Sequence, residues 1–488
     1  MNHLIFKNTH LTIKKGFLPS LRRIPYDEID RINSNSQKDG RIELTLNLIT
    51  GKQLKLYLPS HEFSKAKERL DHIIYGDIGL TEKRQSLTDI TSLVDKICSN
   101  PSLRINNLVD FILRQAVYHQ ASDIYLEEEE RRLRVGYKID GQIFGVILLP
   151  AALRERVVAR IKVMCGAIIY RHDLVQEGRL IIETELEKVE TRVSIIPTNN
   201  SERIAVRILA REGGLLTFDR LGHNQKIVEQ LKEIILKPNG MLIVTGPSGS
   251  GKTTSIYSLL KIVSDLRGKT TNMVSIEDPI EYNLSLVNQI QVNKVKEQSL
   301  SGILAAVLRH DPDLIMVGEM RDYETTNLAF QASLTGQLII STLHCGVAKE
   351  AFTRLKNIGI ENYLLAHSII GILSQRLVRK VCLRCKTEDT EVDPDLLNHL
   401  QQKGYEVGED FYRGKGCEDC YNTGFKGRTA IAELLIPEKK IKDISKEFWF
   451  KMKIPQQIDI LQDGLNKVRD GITSLSEVQR VLRIGDYL

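Results

Sequence analysis

"GPSGSGKTT", Gly246 to Thr254, decides the fold. Gly246, Gly251, Lys252 and Thr253 stand at the spacing G-x-x-x-x-G-K-T, where glycines let successive backbone N–H groups turn inward around phosphate oxygens with no Cβ in the way. Pro247, Ser248, Gly249, Ser250 and Thr254 complete the loop. Lys252 brings a point charge to the β and γ phosphates of ATP and Thr253 a hydroxyl to Mg²⁺, while a helix starting here sets its positive end beneath the anion. The flanks agree. Met241–Thr245 is a short apolar run suited to a buried parallel strand, and Ser255–Val263 spaces its apolar residues at helical intervals.

Two further apolar runs end in carboxylates: Met273–Ile276 leads into Glu277-Asp278-Pro279, and Leu314–Val317 into Gly318-Glu319. In a parallel sheet, ligands bind beyond the carboxyl ends of the strands. Glu277 and Glu319 are therefore both expected to face the γ-phosphate, one orienting the attacking water and the other holding Mg²⁺ through its waters.

With 488 residues, 42% hydrophobic and 27% charged, the chain has the composition of a soluble globular protein of two to four domains. No stretch approaches the roughly 18 apolar residues of a membrane span, and the start, MNHLIFKNTHLTIKKG, lacks a signal peptide's apolar centre, so a cytoplasmic location is expected. The net charge of +6 is spread along the chain. With 6% aromatic residues and one Trp, no basic channel interleaved with aromatics stands out, and no direct contact with nucleic acid is expected.

Residues 1–80 read as a small β-rich module ending in a helix. Ile42, Leu44, Leu46 and Leu48, a turn at Thr50-Gly51, and Leu54, Leu56 and Leu58 make a half-buried hairpin. Phe63, Ala66, Leu70, Ile73 and Ile74 then follow a helical period, a pattern similar to a small pleckstrin-homology-like barrel. The basic residues Lys14, Lys15, Arg22 and Arg23 read as a solvated face in preference to a membrane contact. Residues 81–100 read as a polar linker. Residues 101–214 form a second α/β module, with a helical face at Leu108, Ile112, Leu113 and Ala116 and alternation at Leu133/Val135/Tyr137, Val193/Ile195 and Ile204/Val206/Ile208. Residues 215–488 hold the P-loop, with a cysteine-bearing insertion at 381–425 and a helical part at 426–488.

That insertion carries Cys382-x-x-Cys385 and Cys417-x-x-Cys420, two knuckles separated by 31 residues. In a reducing cytosol such pairs supply four thiolates to a structural Zn²⁺, a closed site that leaves no position for substrate.

"GPSGSGKTT", "SIEDPIEYN", "LRHDPDLIMVGEMRD" and "TGQLIISTLHCGVA" stand in the order and spacing of the secretion-superfamily ATPases that drive type II secretion and type IV pilus assembly. The resemblance runs back through "ASDIYLEE", "YKIDG", "RVSIIPT" and "ERIAVRIL", and forward through "GILSQRLVRKVCLRCK", "GCEDCYNTGFKGR" and "DGLNKVRDGITSLSEV", covering about residues 101–488. It implies a RecA-like P-loop core preceded by a PAS-like α/β module. Gly246 to Thr253 match the family's Walker A loop, Glu277 and Asp278 its acidic box with the catalytic glutamate, and Glu319 its Walker B carboxylate. His344 matches the second histidine of the histidine box, a phosphate sensor, and Arg192 and Arg207 match arginines that face the nucleotide. The resemblance further implies a homo-hexamer, peripheral at the inner membrane, that uses ATP to move a membrane platform protein. The zinc knuckles favour assembly or secretion over pilus retraction. A DNA-uptake or transfer motor and a non-hydrolysing nucleotide-binding scaffold are the alternatives. Three positions depart from the family pattern: Gln337 stands for the first box histidine, Tyr125 for the histidine of "ASDIH", and Lys138 for the arginine of "YRIDG". Coupling between the modules is the property these departures touch.

Overall fold

The computed structural model describes residues 2–6, 10–15, 21–25, 29–36, 41–48, 52–59, 63, 84–98, 105–185, 187–199, 201–209, 217–268, 270–281, 283–292, 298–437 and 459–482. They form two compact units, Met1–Leu209 and Ala210–Leu488. In the first, β1 (Asn2–Phe6), β2 (His10–Lys15) and β3 (Leu21–Pro25) form one antiparallel meander, and β4 (Ile29–Ser36), β5 (Arg41–Leu48) and β6 (Gln53–Pro59) a second. The hairpin expected from alternation is β5–β6, where Leu44 pairs with Leu56 and Leu46 with Leu54. Leu44, Leu46, Leu56 and Leu58 are buried on its inner face. The expected turn at Thr50-Gly51 and, apart from Phe63, the helix to Ile74 lie outside the described residues.

The stretch expected as a linker contains a helix, α1 (Leu87–Cys98). Ser86 and Asp89 cap it reciprocally, Asp89 N donating to Ser86 Oγ at 3.1 Å and Ser86 Oγ to Asp89 Oδ2 at 2.6 Å. Ile90 and Val94, one turn apart, are buried, and Thr91 Oγ1 reaches Val146 O at 2.6 Å. Few apolar residues among polar ones looked like a linker because the helical spacing was carried by only a handful of positions. Next come α2 (Ile105–Tyr118), β7 (Asp123–Glu129), β8 (Arg132–Ile139), β9 (Gln142–Leu149), α3 (Ala151–Cys165), β10 (Gln176–Glu183), β11 (Lys188–Pro197) and β12 (Glu202–Ile208). The sheet is antiparallel with order β10-β11-β12-β7-β8-β9. Its inner face buries Ile124, Leu126, Leu133, Val135, Tyr137, Val193, Ile195, Ile204 and Val206. The Tyr137 hydroxyl donates to Ile112 O of α2 at 2.6 Å, so the one polar atom of that buried ring is satisfied.

The second unit is built on α4 (Gln225–Ile235), β13 (Gly240–Thr245), α5 (Lys252–Arg267), β14 (Met273–Glu277), β15 (Asn288–Gln291), α6 (Leu300–Val307), β16 (Leu314–Val317), α7 (Tyr323–Leu334), β17 (Leu338–Leu343), α8 (Ala348–Ile358), α9 (Asn362–Ser368) and β18 (Ile369–Val381). The chain then leaves the sheet for β19 (Lys386–Glu388), α10 (Pro394–Gln402) and β20 (Tyr412–Gly414), and returns as β21 (Phe425–Leu435) before α11 (Ile460–Arg469) and α12 (Leu475–Leu482). Sheet order is β15-β14-β16-β17-β13-β18-β21, parallel throughout except that β21 runs against β18. Because side chains alternate, Met241 and Ile243 pack with Ala329, Phe330 and Phe352 on one face, while Leu242 and Val244 pack with Leu231, Leu259 and Leu260 on the other. Both faces are dry, which is why these strands read as unbroken apolar runs. The part expected to be helical from 426 begins as β21, whose mostly apolar half Ala430–Leu435, interrupted by Glu433, completes the sheet; α11 and α12 then cover it through Leu461, Leu465, Val468 and Val478.

Candidate functional site

Parallel strands deliver their following loops to one edge of the sheet. At that edge the P-loop follows β13, Glu277 ends β14, Glu319 follows β16 and His344 follows β17, the strand lying between β16 and β13. Gly251 caps α5 at φ 86°, a left-handed conformation that favours glycine, and a Cβ on Gly246 would meet Ser250 Oγ at 2.5 Å and Gln375 O at 2.6 Å. No side chain fits at Gly246, so glycine there lets the loop close tightly on Ser250 and β18. Ser250 Oγ is buried with no hydrogen-bond partner among the described residues, and Lys252 Nζ lies over the loop, donating to Gly246 O at 2.8 Å and Pro247 O at 3.0 Å. An unsatisfied hydroxyl, a cation and a helix N-terminus converge, and this fits a nucleotide phosphate. Burial, with the neighbouring Arg376 charge, holds the Lys252 pKa below the usual lysine value.

Two residues that the sequence reading missed shape this edge. Gln375, 1% exposed on β18, donates from Nε2 to Ser250 O at 2.8 Å and accepts from Ser255 Oγ at 2.9 Å, clasping the loop on both sides of Lys252. Its signal was a polar Ser-Gln-Arg interruption of an apolar strand. Glu281 is the second: the Thr253 hydroxyl donates to its Oε1 at 3.3 Å. Glu277, by contrast, is 3% exposed and turns inward, accepting from Ser275 Oγ at 2.6 Å, from Gln289 Nε2 at 3.1 Å and from the Tyr257 hydroxyl. The carboxylate beside the Thr253 hydroxyl of the P-loop is Glu281, four residues beyond Glu277.

Glu319 lies at the same edge, two residues beyond β16. Arg321 Nε lies 2.5 Å from its Oε1, and His344 Nε2 lies 3.9 Å from its Oε2. Polar atoms lock the loops to the strands: Thr342 Oγ1 donates to Gly318 O at 2.7 Å, and Cys345 N donates to Thr245 Oγ1 at 3.1 Å. Burial, then the Lys252 charge, lowers the His344 pKa, so the ring is neutral at neutral pH and presents a hydrogen-bonding group rather than a charge. Gln337 precedes β17 at the opposite edge, where its carbonyl accepts from Gly240 N at 3.3 Å. The six residues of β17 separate it from the P-loop edge by about 20 Å at roughly 3.3 Å per residue.

In the first unit, Arg192 and Arg207 are direct cross-strand partners on β11 and β12, and Arg179 on β10 is the partner of Arg192 on its other side. Arg207 Nε donates to Asp123 Oδ1 at 3.0 Å, and its side chain is 70% exposed. Lys138 lies 3.7 Å from Asp123 Oδ2, keeping a cation where the family pattern has arginine, though without a two-pronged fork. Tyr125, on the same face, lies beneath the Arg203 guanidinium, 5.7 Å from the ring centroid.

Cys382 directly follows β18, and Cys417 and Cys420 precede β21. All four sulfurs of Cys382, Cys385, Cys417 and Cys420 lie within 4.8 Å of one another, with Cys382–Cys417, Cys385–Cys420 and Cys417–Cys420 at 3.8, 3.8 and 3.7 Å. A tetrahedron with Zn–S of about 2.3 Å has edges of about 3.8 Å, so the cluster fits zinc. Backbone N–H groups of Cys417 and Gly424 point at Cys420 Sγ from 3.2 and 3.3 Å, as a metal-bound thiolate requires. The knuckles close only because Gly414 and Gly424 touch: a Cβ on Gly414 would lie 2.0 Å from Gly424 O.

Residues 100–480 match the family model described as "Type II/IV secretion system protein". The chain is 38% identical over 427 residues to the type II secretion system protein E of Dickeya dadantii, covering 86% of this chain and 83% of that one. It is also 38% identical over 381 residues to the type IV pilus assembly ATPase PilB of Thermus thermophilus, covering 75% of this chain and 42% of that one. Among solved structures, the ATPase DotB of Legionella pneumophila aligns with a TM-score of 0.57 at 18% identity, over 80% of this chain and 98% of that one, a likeness of fold. On the family match and the extent of these relatives, the chain belongs to the type II/IV secretion system protein family, as an ATPase of that family.

Proposed function

We propose that the protein is the cytoplasmic motor ATPase of a type II secretion or type IV pilus assembly machine, working as a homo-hexamer peripheral at the inner membrane and moving a membrane platform protein. The observation that carries the reading is the single sheet edge that gathers Lys252, Thr253, Glu281, Glu319 and His344 around one P-loop. The names of the relatives support the machine. In this reading Lys252 and the loop N–H groups bind the β and γ phosphates of ATP. Thr253, with one of Glu281 and Glu319, would hold Mg²⁺, and the ion would supply charge neutralisation for the transferred phosphoryl group. The carboxylate of Glu281 or Glu319 not engaged by the metal orients the attacking water, and neutral His344 hydrogen-bonds the released phosphate. Arg192 and Arg207 stabilise transferred charge during the cycle. Zn²⁺ on Cys382, Cys385, Cys417 and Cys420 is structural.

Lys252→Ala tests the enzyme: ATP turnover should fall at least about 100-fold, as for loss of a donor aimed at transition-state charge, with the melting temperature unchanged. A folded variant that hydrolyses ATP at the wild-type rate rejects the site. The same substitution in the host should abolish surface fibres or secreted proteins, and retention of both rejects the motor while leaving the ATPase.

A further inference from the structure

Two hydrogen bonds one helical turn apart join the P-loop helix to the acidic box. Thr253 and Tyr257, an i, i+4 pair on one face of α5, are about 6 Å apart along its axis. Thr253 Oγ1 donates to Glu281 and the Tyr257 hydroxyl to Glu277, so two carboxylates four residues apart meet two hydroxyls four residues apart. The pairing runs in opposite directions, placing Glu281 toward the phosphate end.

Only the far contact is buried. Tyr257 and Glu277 are 0% and 3% exposed, whereas the Thr253–Glu281 contact is exposed. Glu277 is a hub: Oε2 takes the Tyr257 hydroxyl, and Oε1 takes Ser275 Oγ at 2.6 Å and Gln289 Nε2 at 3.1 Å. The same Gln289 side chain accepts from Leu284 N at 2.6 Å, and Glu277 O accepts from Val292 N at 2.9 Å. Glu281 therefore lies between two pins, Glu277 before it and Leu284 after it, and both pins meet in the Tyr257–Gln289 network. A buried carboxylate with all three of its donors in place is rigid, because loosening any one leaves a polar group unsatisfied.

We infer that Tyr257 is a positioning residue for ATP hydrolysis, acting through Glu277 and Gln289 to hold Glu281 beside Thr253. The inference rests on the P-loop reading above. It assigns Glu277 to holding the acidic box and leaves Glu281 as the carboxylate that reaches metal or water. A displacement of about 1 Å at such a group costs on the order of 100-fold in rate when it is complete; partial loosening costs less.

The test measures kcat and KM for Tyr257→Phe, Gln289→Met and Glu281→Gln, with Tyr257→Phe also combined with Glu281→Gln. Tyr257→Phe should lower kcat about tenfold with KM for ATP within twofold, because phosphate contacts by Lys252 are untouched. In the Glu281→Gln background the same change should cost less than twofold, since the group it positions is already disabled. Gln289→Met, which cuts both pins by another route, should repeat the kcat loss and serves if Tyr257→Phe does not fold. Three results overturn the inference: kcat within twofold of wild type for the folded variants, a lowered melting temperature with kcat unchanged, or an equal loss in both backgrounds. Wild-type turnover in Glu281→Gln also overturns it, whereas inactivity of Lys252→Ala in the same assay leaves the ATPase reading standing.

Discussion

A carboxylate taken out of water needs donors, and Glu277 has three. That requirement explains where the acidic box departs from its sequence reading. The end of an apolar run marks where β14 stops, and a ligand beyond the strand ends follows from the parallel sheet, so a carboxylate at this edge was legible. Which way the Glu277 side chain turns depends on Tyr257 and Gln289, which no strand pattern connects to it. Glu319, beside Arg321 and His344, has no such buried donors among the described residues. Arginines follow the same logic. Arg192 opposes Arg207 directly across β11 and β12, and like charges in directly opposed positions are unfavourable. Asp123, which accepts from Arg207 at 3.0 Å, offsets part of that repulsion, and the role of the pair toward an anion stays with the proposal above. Arginine fingers contribute about 10³ to 10⁵ in rate, so the Arg192→Ala/Arg207→Ala double variant should lose at least tenfold in ATP turnover while nucleotide affinity changes less. Turnover within twofold of wild type removes both residues from the mechanism.

Strands were the most legible elements, because both faces of the central sheet are dry and β13, β14 and β16 stand out as apolar runs. β21 was less so: its apolar half begins only at Ala430, after the Lys426-Gly427-Arg428 stretch that follows the knuckle. The four-cysteine cluster was legible from spacing alone, since two Cys-x-x-Cys pairs need only be brought together, and the close approach of Gly414 to Gly424 brings them. Its place in the chain gives metal loss a defined reach. Val381 N donates to Ile472 O at 2.9 Å and Cys382 N to Gly424 O at 2.9 Å, so the knuckles sit at the joint of β18, β21 and the α11–α12 connection. Small structural zinc sites contribute roughly 10–16 kcal/mol of binding energy that is also folding energy. Purified protein should contain one zinc per chain, and chelation or Cys417→Ser should raise protease sensitivity within 381–425 before it affects the core. Metal-free protein of undiminished stability excludes the site.

Each of the two units has its own core, and among the described residues each buries a histidine whose pKa burial lowers. In the first, His119 Nε2 lies 2.8 Å from Gln85 O, and burial, then the Arg84 charge, pushes its pKa down to about 4. In the second, His223 stacks on Phe218 at 4.7 Å between ring centroids, and burial, then the Lys467 charge, pushes its pKa down to about 3. Unfolded histidine titrates near 6.5. Between that value and the folded pKa the unfolded chain binds a proton that the native chain refuses, so each histidine's contribution is intact above about pH 6.5 and erodes as pH falls. For fully buried His223 the loss at pH 5 is on the order of 2 kcal/mol, from about 1.4 kcal/mol per pH unit. Buried Glu433 and Asp463 in the same unit act in the opposite direction: burial raises their pKa values, so acidification favours the native state at these two groups. The raw slope of melting temperature against pH therefore mixes signs, and the difference between wild type and His223→Gln isolates the histidine. Between pH 7 and pH 5 the variant should lose less stability than wild type in the transition of the ATPase unit, with the transition of residues 1–209 unaffected. Parallel slopes for the two proteins would show that His223 takes up its proton without unfolding, and would reject burial as the cause of its depressed basicity.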